Sequence, residues 1–169
     1  LIFKPAMFLT SFLLIKYWLY NKSIIIYLNR DHKYLKKIIF FGIGSAIALT
    51  VHSIFLGIKI DNDLYKLFRR VIMFIFIFFE IAAQAYLVAI LYSLKGKLLQ
   101  YINVKILRIK LILVIILIIV AFITVPIISM PGDKFKFLKH GLEWNYFIGV
   151  ITFYMLTFFM WKKKIINLK

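Results

Sequence analysis

The sequence predicts an all-α integral membrane protein, a bundle of five transmembrane helices joined by short loops, or four if the first apolar stretch does not span. Three observations carry this expectation. Of the 169 residues, 64% are hydrophobic and 17% charged, against roughly 25% charged in an average soluble domain. With a mean hydropathy of +0.95, a soluble chain this short could not enclose so much apolar surface in one core. The apolar residues also fall into five stretches, 5–20, 38–58, 71–94, 111–130 and 144–161, which together hold only two of the 29 charged residues, Lys16 and Glu80. Hydrocarbon imposes that segregation, because a charge at mid-bilayer costs several kcal/mol. Finally, cysteine is absent and proline and glycine are few, which excludes a disulfide scaffold and a collagen-like or disordered chain.

A spanning helix needs about 20 apolar residues. The stretches 38–58, 71–94 and 111–130 meet this, and 144–161 is shorter but carries a tryptophan at each end, as interfacial anchoring favours. The first, 5–20, is the weakest: it is short and contains Lys16, whose ammonium would snorkel to the surface near Tyr17, Trp18 and Tyr20. The segment 21–37, with Ile24, Ile25 and Ile26 among basic residues, reads as an interfacial segment. Asp61, Asn62 and Asp63 read as caps of the third helix. Pro126 and the pair Pro131–Gly132 are expected to end the fourth and turn the chain. Phe135, Phe137 and Leu138 then alternate with lysines, as an interface would favour. The whole is expected to be a single helical membrane domain over 1–169. Because it starts at Leu1, it is expected to be the C-terminal part of a longer protein.

The net charge of +17 lies in the connections, so it reports topology rather than nucleic-acid binding, and no nucleic-acid partner is expected. Counted on alternate sides, Lys and Arg number fourteen against eight. The positive-inside rule then places 21–37, 95–110 and the C-terminus in the cytoplasm, with the N-terminus outside. The expected setting is the cell membrane, of the bacterial inner-membrane type. Its partners would be the lipid bilayer, anionic lipid head groups at the basic loops, and other membrane subunits or helices upstream of Leu1.

Seven polar residues at or near membrane depth are the candidate binding residues. Glu80 is the one acid inside an apolar stretch, and Gln84 lies one turn on, sharing its face. An ionisable group at this depth is a functional-site hypothesis; the bland alternative is a hydrogen bond gluing two helices. His52 continues the small-residue face Gly44–Ala48, which favours close helix approach, and its depth matches that of Glu80, so a His52–Glu80 pair is geometrically allowed. Thr124, His140, Glu143 and Asn145 would gather at an outward mouth, although Glu143 also suits a helix N-terminus. Three scattered histidines and no cysteine supply no metal or cofactor motif, so neither is expected. The function expected is a non-enzymatic membrane-complex subunit or small binding module. The alternatives are a proton-coupled transporter or carrier using Glu80 and His52, and a lipid-modifying enzyme with a site at the outer interface.

Overall fold

The computed structural model describes residues 3–29, 32–58, 60, 62–99, 101–129 and 136–162. Among them the regular elements are all helices: α1 (Phe3–Leu28), α2 (Leu35–Phe55), α3 (Asp63–Ser93), α4 (Lys95–Leu98), α5 (Val104–Ser129) and α6 (Lys136–Met160). Three stretches are long and apolar enough to cross a membrane: Leu35–Phe55, Asp63–Ser93 and Val104–Thr124. The described apolar run of α6, Ile148–Met160, is shorter. The chain divides into two compact units, Leu1–Ile90 and Leu91–Lys169.

In the first unit, α1 and α2 run antiparallel: Lys4 donates to the carbonyl of Ile54 at 3.4 Å, while Trp18 lies against Gly42. The helix α1 does not stop where an interfacial segment was expected. It continues to Leu28 because Asn21 and Ser23 turn their side chains back onto the carbonyls of Tyr17 and Leu19, at 2.8 and 3.1 Å. Ile25 is then buried on the same helix. Polar side chains that bond one turn back stay within a helix rather than end it. The tight approach of α1 to α2 depends on Gly42, where an added Cβ would stand 2.5 Å from Cγ and Cδ2 of the wholly buried Trp18.

The helix α2 ends at Phe55, three residues short of the stretch read from composition. Leu56 at φ −67°, ψ 130° and Gly57 at φ +81° form a type II turn, closed by the Ile58 amide on the Phe55 carbonyl at 3.4 Å. Only glycine adopts that second position without strain. Asn62 caps α3 by accepting the Leu64 amide at 2.9 Å. The expected cap at Asp61 lies outside the described residues. Against α2, α3 is again antiparallel: Phe55 meets Phe68 edge-on at 5.2 Å, Phe41 meets Phe79 at 5.3 Å, and Tyr34 lies 5.5 Å from Tyr86.

In the second unit, α5 and α6 pair antiparallel along complementary stripes. Leu107, Lys110, Val114 and Leu117 are buried on α5, and Tyr146, Phe153, Thr157 and Met160 on α6. Both follow the three- and four-residue spacing of one helix face. The base of this hairpin is stapled by backbone. The Asn103 amide donates to Met160 O at 2.9 Å and the Lys162 amide to Tyr101 O at 2.8 Å, around an antiparallel bridge between Ile102 and Trp161. The carbonyl of Met160, which no later turn of α6 could satisfy, thereby finds a donor. Pro126 does not end α5, which runs on to Ser129. The helix there lacks the amide bond to the carbonyl four residues back, and its last turn continues regardless. The helix α6 starts at Lys136, eight residues before the apolar stretch it contains, so Phe137 and Leu138 are helical. Phe135 and Pro131–Gly132 lie outside the described residues. Many of the exposed side chains are large and apolar, with Phe122 and Phe158 77% and 79% exposed. That is the surface expected of helices meeting lipid rather than water.

Candidate functional site

Near the middle of the first unit α2 and α3 exchange polar contacts in an otherwise apolar interior. Ser45, Glu80 and Gln84 are all fully buried. The Gln84 amide donates to Glu80 Oε1 at 2.9 Å, as the one-turn spacing allows. Ser45 Oγ lies 2.8 Å from Glu80 Oε2 and 2.9 Å from the Gly42 carbonyl. A hydroxyl has one proton to give, and the carbonyl and an ionised carboxylate are both acceptors. One hydroxyl proton can be shared between the two acceptors, and a protonated Glu80 Oε2 would satisfy both contacts in full, donating to Ser45 Oγ while Ser45 donates to Gly42. The Ser45 contact thus ties the Glu80 carboxyl of α3 to α2.

On the face Gly44, Ala48, His52 the last two are buried and Gly44 is half-buried, lying against the Phe79 ring. Even so, His52 does not meet Glu80. It stands seven residues, about 10 Å along the axis, beyond Ser45, which is the residue of α2 that faces the carboxyl. Its Nδ1 is buried with no hydrogen-bond partner.

The remaining candidates belong to the second unit. Thr124 is half-buried and donates to its own helix at Val120 O, 2.6 Å away. Asn145 is exposed and donates to Gly141 O at 2.9 Å. Both therefore bond within one helix. His140 and Glu143 lie on α6, but their side chains lie outside the described residues. Among the described residues no three of His, Asp and Glu gather as a metal site would require.

Sequence reasoning passed over Lys110. Counted as a loop lysine, it is fully buried on α5. Its ammonium donates to the hydroxyl of Thr157 and lies 3.8 Å from the centroid of the Phe153 ring. Thr157 in turn donates to Phe153 O at 3.0 Å. The hydroxyl and the ring face are both suited to a cation. The signal was periodic rather than compositional: Lys110 sits three residues after Leu107 and four before Val114. Replacing a buried ionic group by an apolar one of similar volume is often neutral, whereas removing only its partner strands it. Lys110→Met is therefore expected to leave thermal stability in detergent nearly unchanged. Thr157→Val should lower it by about 1–3 kcal/mol, and the double variant should recover most of that loss. A Lys110→Met loss exceeding that of Thr157→Val would show that the lysine holds the hairpin together.

Comparison with known protein families, characterised proteins and solved structures finds no match, so the chemistry of these sites rests on their geometry.

Proposed function

We propose that the chain is a multi-pass protein of a bacterial inner membrane, acting as a non-enzymatic subunit of a membrane complex or as a small binding module. In this reading α1 and α6 span alongside the three longer apolar helices, the N-terminus is outside and the C-terminus is cytoplasmic. The observation that carries the proposal is the engagement of the Glu80 carboxyl with both α2 and its own helix. Both carboxyl oxygens are taken up by Ser45 and Gln84, as helix-to-helix glue requires. Lengths support the additional spans: α1 has 26 residues and α6 has 25, about 39 and 38 Å, against a hydrocarbon core of about 30 Å.

Orientation is tested by introducing cysteine at Lys136 or Lys164, in a chain with no native cysteine, and labelling intact cells with an impermeant thiol reagent. Reaction at 136 and not at 164 is expected, and the reverse pattern would invert the topology. Function is tested by reconstituting the purified chain in liposomes loaded with a pH-sensitive dye. A subunit should pass protons no faster than protein-free vesicles. A flux that disappears in Glu80→Gln would replace this reading with the proton-coupled carrier. That second reading draws on one specific feature, a fully buried carboxyl in the middle of an apolar helix.

A further inference from the structure

We propose that His52 and Arg69 form a binding site for the phosphate of a lipid head group, between the last turn of α2 and the early turns of α3. The inference rests on the membrane reading above and adds a ligand to it.

His52 is 7% exposed, and its Nδ1 has no hydrogen-bond partner. Across from it Arg69 is half-buried, and its Nε is likewise buried without a partner. The Phe55–Phe68 contact at 5.2 Å, one turn beyond His52 and one residue before Arg69, holds these two turns against each other. Groups already satisfied surround them. The Tyr65 hydroxyl, whose ring lies 6.0 Å from the guanidinium, donates to Phe55 O at 2.7 Å. Lys4 brings a third cation to this end of the unit and donates to Ile54 O. No carboxylate pairs with Arg69 among the described residues.

Leaving a buried donor unmade is costly, and more so where no water competes. Two such atoms on facing helices, one on a guanidinium and one on an imidazole whose Nδ1–H tautomer donates, call for one acceptor with several lone pairs. An oxyanion meets that need, and the planar guanidinium is shaped for phosphate.

Depth selects the source. The 31 residues of α3 extend about 46 Å, about 16 Å more than the hydrocarbon core. A centred helix therefore places its first 8 Å or so in the head-group layer. Arg69 begins about 9 Å from that end, at the boundary where lipid phosphates lie. The site differs from diffuse attraction at the basic loops because its donors are fixed and buried.

The test uses the purified full chain in mild detergent. Its thermal midpoint is followed against added dioleoyl phosphatidylglycerol, against a galactosyl diacylglycerol of the same acyl chains, and against inorganic phosphate. Phosphatidylglycerol should raise the midpoint saturably while the galactolipid and inorganic phosphate do not. Arg69→Gln and His52→Leu should each weaken the lipid's apparent affinity about 10-fold, as expected for losing one hydrogen bond to a charged group. Arg108→Gln, on the exposed surface of the second unit, should leave it unchanged. If Arg69→Gln does not fold, Arg69→Lys keeps the charge but not the fork, and should still bind more weakly than wild type. Equal responses to phosphatidylglycerol and galactolipid would overturn the proposal in favour of a bridging water. Undiminished affinity in the folded variants would overturn it too, and an equal response to inorganic phosphate would overturn the lipid as the source. Failure of the membrane reading itself would look different: alkaline carbonate would release the chain from membranes.

Discussion

Gly42→Leu is expected to lower stability by about 3 kcal/mol, at the upper end of what overpacking costs. The cause lies in which atoms would be met. A Cβ at this position would stand 2.5 Å from Cγ and Cδ2 of Trp18 and 2.8 Å from Cδ1. These are the root of a rigid indole, not the tip of a flexible chain, and Trp18 is fully buried. To make room, either the ring must leave its rotamer or α1 must separate from α2, and a close-packed interior resists both. Gly149 makes a useful contrast. Its added Cβ would meet Leu117 Cδ2 at the same 2.5 Å, but a leucine methyl can rotate away, so Gly149→Ala should cost clearly less than Gly42→Ala. Gly96, with nothing within 4 Å, should tolerate Gly96→Leu within about 0.5 kcal/mol. Combining Gly42→Leu with Trp18→Ala should cost less than the sum of the two single changes, because the second removes the obstacle to the first. Reversible unfolding in mixed micelles measures all of these. Equal losses for Gly42→Leu and Gly96→Leu would show that α1 and α2 do not approach as described.

Helical content and the long apolar segments were legible because they depend on composition, which hydrocarbon constrains strongly. Helix ends were not, because short-range bonding sets them. Asn21 and Ser23 look like breakers but bond back onto their own helix, and Gly57 stops α2 inside an apolar run. Those end errors explain the missed partner of Glu80. Taking the second span as 38–58 and the third as 71–94 put His52 and Glu80 at matching depth. The actual helices, Leu35–Phe55 and Asp63–Ser93, have their middles at Ser45 and Phe78, so Ser45 is the residue that faces the carboxyl. The Glu80–Gln84 contact was readable, since one turn of helix fixes it whatever the register. The burial of Lys110 was hidden by grouping it with the basic residues before it. Only its place in the stripe from Leu107 to Leu117 distinguishes it, and that stripe shows only when the helix is carried back to Val104.

Glu80→Lys should be the most damaging polar change, costing about 3 kcal/mol, the order found for a basic residue at the centre of a spanning helix. It removes the carboxyl from both Ser45 and Gln84 and puts an ammonium beside the Gln84 amide donors. Glu80→Gln should do almost nothing to assembly, for a reason specific to this node. If Glu80 is a neutral acid, its O–H donates to Ser45 and its carbonyl accepts from Gln84. A glutamine amide offers the same pair, an N–H toward Ser45 Oγ and an oxygen toward Gln84 Nε2. Glu80→Leu keeps the bulk and loses both bonds. Interhelical hydrogen bonds in membranes average about 0.6 kcal/mol and reach about 1.7, so the leucine variant should fall between the other two, with the orphaned Gln84 adding to its loss. Were the carboxyl ionised instead, glutamine would be a poor mimic: Ser45 would be sharing its one proton between Gly42 and Glu80, and the variant would gain a proton the site had not held. Infrared difference spectra decide between the two. A protonated carboxyl stretch present in the wild type at neutral pH and absent in Glu80→Gln is the expected result. A carboxylate band in its place, or a glutamine variant as unstable as the leucine one, would remove the neutral-acid assignment and reopen Glu80 as a site with an unmet charge.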